Sequence, residues 1–447
     1  MDRRLWGLDV NESNHLVLGG CDLVTLAATY GTPLHVVDED RLRANYRRFV
    51  AAFQGTGLPS KVFYSYKTNC IPEVLALLHD EGCGAEVVSP YEAWIAHRLG
   101  VKGTDLVYNG VGRSVGDFRA AIERRVGLVN VDSLDELRRL AQAADELRQT
   151  VNVGLRVYPK VGWRAHFGLD PSVDSLLARA AELQRHRHLN LYALHAHVAS
   201  GLRATATYER VIDELCALMR DLRERSGVAV ACLDLGGGFG VPTVKTLSVR
   251  EVALYKLWNV PPRPPRPEDC PSIEEFGRVL TSVLRDRCAR YGLEEPSLLL
   301  EPGRVITSDS QVLLVSILDV KRRANRAAFA ITDGGMQNIA FPLAYEYHHS
   351  FLATRASAPS EHRYTVTGPL CSPEDLLYRN WPLPALKEGD ILAVMDAGAY
   401  FTSFANNFSY PRPAVVGVSH GQHRLMRERE TFELMSSVDG FRCDRRQ

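Results

Sequence analysis

An excess of charge of either sign is missing from this chain: its 447 residues carry 53 Lys plus Arg against 53 Asp plus Glu. Such a balance creates no overall field to draw in nucleic acid or an anionic membrane, so neither is expected as a partner. Also missing is any uninterrupted apolar run long enough to span a bilayer. The opening residues, MDRRLWGLDVNESNH, carry charges with no apolar segment behind them, so no secretory signal and a cytoplasmic location are expected. The nine cysteines are scattered, odd in number and without CxxC spacing. That pattern excludes a zinc ribbon or a disulfide framework as the organising principle and fits reduced thiols. A GxGxxG fingerprint is absent too, which removes the usual dinucleotide site.

What is present is apolar bulk in an alternating arrangement. Hydrophobic residues make up 45% of the chain, enough for a large core and for more than one domain. Short apolar runs begin at Val62 (VFYSY), Ala85 (AEVVS), Asp105 (DLVYNG), Leu128 (LVNVD), Val151 (VNVGLRV), Leu191 (LYALHAHV), Val230 (VACLDLGGG) and Ser297 (SLLLEPG). Between them lie stretches such as LDELRRLAQAADELR, whose apolar residues recur at three- and four-residue spacing. Eight strand–helix units imply parallel strands with right-handed crossovers, and the closed solution is a (β/α)8 barrel. We place it at 33–306. The segments 1–32 and 307–447 read as a second, β-rich domain, with strand-like QVLLVSILDV, FAITDGG, RYTVTGP and DILAVMDAG, to which HLVLGG near the N-terminus adds a strand. A proline-rich insertion, VPPRPPRPEDC at 260–270, excludes helix and central strand. It reads as a surface excursion or as a recognition loop.

Active sites of such barrels form at the C-terminal strand ends, and there the polar and glycine residues collect. Strand one ends in Lys67, strand six in His197 and Ser200, strand seven in Gly236, Gly237 and Gly238, and strand eight in Glu301 and Arg304. Three glycines let backbone N–H groups close on an anion, and barrels commonly bind phosphate after strands seven and eight. Lys67 follows an apolar strand. In a water-poor pocket a lysine amine loses its proton more readily and can form a Schiff base. A phosphate cradle beside such a lysine points to pyridoxal 5′-phosphate.

Six motifs then occur in one order: YSYKTN around Lys67, HVASG at His197, LDLGGGFG with Asp234, LLLEPGR at Leu298, GPLCSPEDLL at Gly368 and DAGAY at Asp396. With them the chain resembles the diaminopimelate, ornithine and arginine decarboxylases, of the alanine-racemase-like fold type, over nearly its whole length. The resemblance implies that Lys67 carries the cofactor and His197 stacks on its ring. It implies that Ser200, Gly236, Gly237, Gly238 and Arg304 hold the phosphate with help from Tyr400. Glu301 would bind the pyridine nitrogen, and Cys371 would reach in from the other subunit of a homodimer to reprotonate Cα. Racemases of this fold type place an arginine at the ring nitrogen, so Glu301 favours decarboxylation. A carboxylate there keeps the pyridinium protonated as an electron sink.

The departures fall on the substrate side. Where diaminopimelate decarboxylases carry an acidic residue after the cysteine, this chain has Ser372; where they carry an arginine before a proline, it has Phe341, although Tyr345 is retained. A distal charge facing neither clamp would be left uncompensated, at about 3–5 kcal/mol. The expected substrate is therefore an amino acid with a derivatised distal end, such as one tethered to a carrier protein in natural-product biosynthesis, with the proline-rich insertion as docking loop. Diaminopimelate itself, as in lysine biosynthesis, is the first alternative, and a non-catalytic regulatory homologue the second. His166 stands where relatives have a lysine that pairs with the later aspartate, here Asp375, so a His166–Asp375 pair across the dimer is expected.

Overall fold

The computed structural model describes residues 1–162, 166–322 and 328–440, the side chains of 340–344 excepted. The chain divides into two compact units. One comprises Arg43–Val241 and Glu268–Ile306; the other comprises Met1–Leu42, Pro242–Pro267 and Thr307–Gln447.

The first unit is the expected barrel. Its strands are β1 (Ser60–Ser65), β2 (Gly84–Val87), β3 (Leu106–Tyr108), β4 (Leu128–Val131), β5 (Val151–Arg156), β6 (Leu189–His195), β7 (Cys232–Asp234) and β8 (Ser297–Leu300). They pair in chain order, all parallel, and β8 closes on β1 through Leu299 beside Lys61. Every residue of β2, β3, β4 and β7 is buried, which is why these runs read as continuously apolar rather than alternating. Inside the barrel Phe63, Val107, Leu128, Ala193, Cys232 and Leu299 form one apolar cluster. The crossover helices start where the sequence supplies hydroxyl caps: Ser89, Ser114, Ser133 and Ser272 each accept a backbone N–H of the first turn. Gly227 and Gly292 end two long helices in the left-handed conformation.

The second unit is the β-rich one. Among the described residues its main sheet has nine strands. Gln311–Lys321 is the central member, pairing with Leu34–Asp38, Ala328–Thr332 and Ile391–Val394. Period-two alternation divides its apolar run between two cores. Val312 and Leu314 pack with Trp6, Leu34 and Val416, while Leu313, Val315 and Ile317 pack with Tyr364, Val366 and Trp381.

Two segments fall on the other side of the sequence-based boundaries at 33 and 306. Leu34–Asp38 pairs antiparallel with Gln311–Lys321 and parallel with Ala414–Ser419, so this first βα-like run is a sheet strand of the β-rich unit. Pro242–Pro267 also belongs there: Lys245–Thr246 pairs with Glu346–Tyr347, and Tyr255 sits in one of the cores. HLVLGG forms a strand, Leu16–Leu18, but in a separate three-stranded sheet with Asp9–Val10 and Cys21–Asp22. The proline-rich stretch has neither helix nor strand from 259 to 266. Among the described residues the cysteines form no disulfide, and no helix is long and apolar enough to cross a membrane.

Candidate active site

At the C-terminal end of the barrel, nearly every strand contributes one polar side chain to a buried layer: Ser65 from β1, Glu86 from β2, Asn109 just past β3, Asn130 from β4, His195 from β6, Asp234 from β7 and Glu301 just past β8. Two asparagines tie the carboxylates together. Asn109 Nδ2 donates to Glu86 Oε1 at 2.9 Å and to Glu301 Oε1 at 2.6 Å. Asn130 Nδ2 donates to Asp234 Oδ2 and to Asn109 Oδ1, both at 2.8 Å. Gly154 on β5 makes room for Asn130, since a Cβ there would come within 1.8 Å of its Oδ1. Lys67 sits in the short 3-10 turn Tyr66–Thr68 that follows β1. Its Nζ lies 3.1 Å from Glu86 Oε2, with the lysine side chain 37% exposed and the glutamate fully buried. The lysine therefore stands between the carboxylate layer and solvent.

The layer is strongly polarised. Burial, followed by the charges of Asp234 and Glu86, pushes the Glu301 carboxyl well above the usual range, against the opposing pull of Lys67 and Asn109. Asp234 is pushed up by burial as well, opposed by hydrogen bonds from the Gly236 amide, Glu301 and Asn130. Both carboxyls are thus pushed toward the uncharged form, and an incoming cationic or N–H group would be attracted. Glu92, one turn into the helix after β2, is raised to about 7 by burial, against the hydrogen bond from the Val88 amide.

The residues expected at the phosphate are on adjoining loops. Gly236, Gly237 and Gly238 pass so close to neighbouring strand ends that side chains are excluded: a Cβ on Gly237 would lie 2.2 Å from Glu301 O, and one on Gly238 2.1 Å from Ala199 O. Gly238 also has a φ of +96°. Tyr208 donates its hydroxyl to Gly237 O at 2.8 Å and stacks on Phe239, which fixes the loop from below. Gly237 N–H donates to His197 Nδ1 at 3.1 Å, setting the orientation of that ring. Burial, then the charges of Lys67 and Arg156, holds His197 down to about 3, so the imidazole is neutral. Arg304 is buried at the start of the helical turn Arg304–Thr307, and Ser200 is half-buried in the loop after β6. An amine, a neutral aromatic ring, a buried carboxyl pair, a side-chain-free glycine loop and a buried guanidinium together fit an aldehyde-bearing pyridine with a phosphate arm.

The remaining expected residues lie in the β-rich unit. Cys371 is exposed and Ser372 half-buried. Tyr345 is 49% exposed, with the Lys256 ammonium 5.6 Å from its ring. Tyr400 adopts φ +69° and precedes the helical turn Phe401–Phe404. The side chain of Phe341 lies outside the described residues. Asp375 is buried, and its two oxygens accept the Met336 and Leu370 amides at 2.7 and 2.8 Å. His166 is exposed. The Asp375 carboxylate thus accepts two amides inside its own unit, and the expected His166–Asp375 pair across a dimer stays a proposal.

Sequence reasoning passed over Glu86, Asn109, Asn130 and His195. Each was visible as a polar residue in an otherwise apolar strand run: AEVVS, LVYNG, LVNVD, LYALHAHV. In a strand buried on both faces, such a residue is costly unless it meets a partner.

Residues 39–308 match the family model for the pyridoxal-binding domain of pyridoxal-dependent decarboxylases. The chain is 34% identical, over 95% of both chains, to a diaminopimelate decarboxylase of Methanothermobacter thermautotrophicus. It is 28% identical to one of Bacillus subtilis, over 96% of both. The solved diaminopimelate decarboxylase of M. jannaschii in complex with L-lysine superposes with a TM-score of 0.86 at 27% identity, covering 97% of both chains.

Proposed function

This chain belongs to the pyridoxal-dependent decarboxylase family, and on that footing we propose that it removes one α-carboxylate of diaminopimelate to leave lysine. It is a carboxy-lyase acting on a small amino acid, with pyridoxal 5′-phosphate as cofactor. The observation that carries the substrate is the 34% identity, end to end, with a diaminopimelate decarboxylase. This favours free diaminopimelate over the carrier-tethered substrate expected from Phe341 and Ser372, and the relatives named above are diaminopimelate decarboxylases rather than natural-product enzymes.

When bound, the cofactor supplies the electron sink that accepts the pair left on Cα as CO2 departs. The protein's part is positioning and proton control. Lys67 would hold the aldehyde carbon through Nζ, and Glu86, 3.1 Å away, would orient that amine. Glu301 would receive the pyridine nitrogen and keep its proton in place. A neutral His197, oriented by the Gly237 amide, would lie against the ring. The amides of Gly236, Gly237 and Gly238, with Ser200, Arg304 and Tyr400, would take the phosphate. Cys371 of the partner subunit in a homodimer would return a proton to Cα through Sγ.

The distal ammonium and carboxylate of diaminopimelate then require partners other than Phe341 and Ser372. Those two residue types favour a second reading, an amino acid with an uncharged distal end. Release of CO2 with the Lys67→Ala protein as control decides between them. Lysine formed from diaminopimelate supports the first reading. Turnover only of a side-chain-acylated amino acid would replace it with the second.

A further inference from the structure

His195 occupies an unusual place in the barrel. It ends β6, is 1% exposed, and neither ring nitrogen has a hydrogen-bond partner. A buried imidazole with two unmet polar atoms is costly, and an apolar residue would fill the same space without that cost. The groups facing it explain its presence. Its strand neighbours in register are Arg156 on β5 and Asp234 on β7. Its Nε2 lies 3.7 Å from Glu301 Oε2. Ligand atoms of His195, Asp234 and Glu301 all fall within 4.8 Å of one another. On the far side of the carboxylate, Asn109 takes Oε1 at 2.6 Å. Burial and the charges of Arg156, His197 and Lys67 keep the His195 ring neutral, so it has one N–H to give and adds no charge.

We infer that His195 is a positioning residue for Glu301: it offers its Nε2–H to Oε2 while Asn109 holds Oε1, so that the carboxylate is gripped from both sides and aimed at the ring nitrogen of the cofactor. At 3.7 Å the contact is longer than a hydrogen bond, and a movement of less than about 1 Å makes it one. The Asp234 carboxyl on the next strand already takes Asn130, the Gly236 amide and Glu301, and it is Glu301 Oε2 that lies 3.7 Å from His195 Nε2, so the His195 N–H has Glu301 as its acceptor. The inference rests on Glu301 being the residue that meets the pyridine nitrogen.

The test uses His195→Phe, which keeps a ring and removes both nitrogens, and His195→Gln, which restores a donor. Pyridoxal phosphate is titrated into each full-length apoprotein, and the absorption spectrum of the loaded protein is followed against pH. The expected result is a dissociation constant for the cofactor raised about tenfold in His195→Phe, with a shifted absorption band and shifted pH dependence, and partial recovery in His195→Gln. Adding Glu301→Gln to His195→Phe should cost little more than Glu301→Gln alone, because both act on one contact. A His195→Phe protein with native spectrum and affinity overturns the inference, as does full additivity of the two substitutions. If His195→Phe does not fold, His195→Leu, which also lacks a donor, gives the same comparison against Glu301→Gln. Failure of the unaltered protein to bind pyridoxal phosphate would instead overturn the underlying cofactor reading, so the two failures are separable.

Discussion

Asn109 Nδ2 stands 2.6 Å from Glu301 Oε1 and, with the same nitrogen, 2.9 Å from Glu86 Oε1. One neutral amide thereby links the carboxylate beside Lys67 to the carboxyl assigned to the ring nitrogen. Replacing it with Ala leaves two buried acceptors without that donor, a cost of about 1–3 kcal/mol for each unsatisfied group. Chemical denaturation of the Asn109→Ala apoprotein should show a loss in that range, and cofactor titration should show weaker binding.

Lys67→Ala should abolish covalent attachment. Borohydride treatment of the loaded protein, followed by mass analysis, should add the reduced cofactor to the peptide containing Lys67 and to nothing in the variant. Decarboxylation should fall by on the order of a thousandfold or more in the variant, since covalent catalysis and its acid–base help are lost together.

Gly238→Ala tests the glycine loop. Its Cβ would sit 2.1 Å from Ala199 O at a φ of +96°, so the loop must move. We expect weaker cofactor binding and lower activity, together with about 1–3 kcal/mol of lost stability from backbone strain. Unchanged cofactor affinity would remove this loop from the phosphate site.

Arg113 and Glu136 form an ion pair buried under the barrel's third and fourth strands, 3.0 Å between Nη2 and Oε2, with side chains 3% and 1% exposed. Burial pushes Glu136 up, but hydrogen bonds and charge from Arg113 outweigh it, and the net effect is downward from 4.5. Its contribution is therefore complete above about pH 4.5 and is lost as the pH falls through the lower folded value. Glu136→Ala strands a buried guanidinium and should cost about 3–5 kcal/mol, read by thermal or urea unfolding at pH 7.

Burial holds His35, His197 and His349 down to about 3, and His195 lies well below its usual value for the same first reason. These rings are neutral when folded and take up protons near pH 6.5 when unfolded. The unfolded chain thus binds more protons from about pH 6.5 downward, and stability should fall across that window. Each ring contributes a slope of about 1.4 kcal/mol per pH unit once its unfolded form is charged. Urea midpoints of the apoprotein between pH 7 and 5 measure it; a flat profile would contradict the neutral buried rings.

The barrel was legible because its cues are local. Each strand is a short apolar run, each helix a 3.6-residue pattern, and Ser133 or Ser272 marks a start within its own turn. Lys67, His197, the 236–238 glycines and Glu301 stood out as candidates for the same reason: they close strand runs. Leu34–Asp38 fell inside the expected barrel bounds because LHVVD is equally good as a barrel strand or a sheet strand. Its partner, Gln311–Lys321, lies far along the chain, and nothing in five residues encodes that distance.

By itself, then, the sequence determined the eight-unit barrel and singled out the glycine loop and the amine as candidates, since spacing and residue type suffice for features built from neighbours along the chain. Only the tertiary structure decided which polar side chains share the buried layer. Asn109 and Glu301 are 192 residues apart, and Asn130 and Asp234 are 104 apart. Barrel closure brings them within hydrogen-bond distance, and burial there pushes the Asp234 and Glu301 carboxyls upward from their ordinary values.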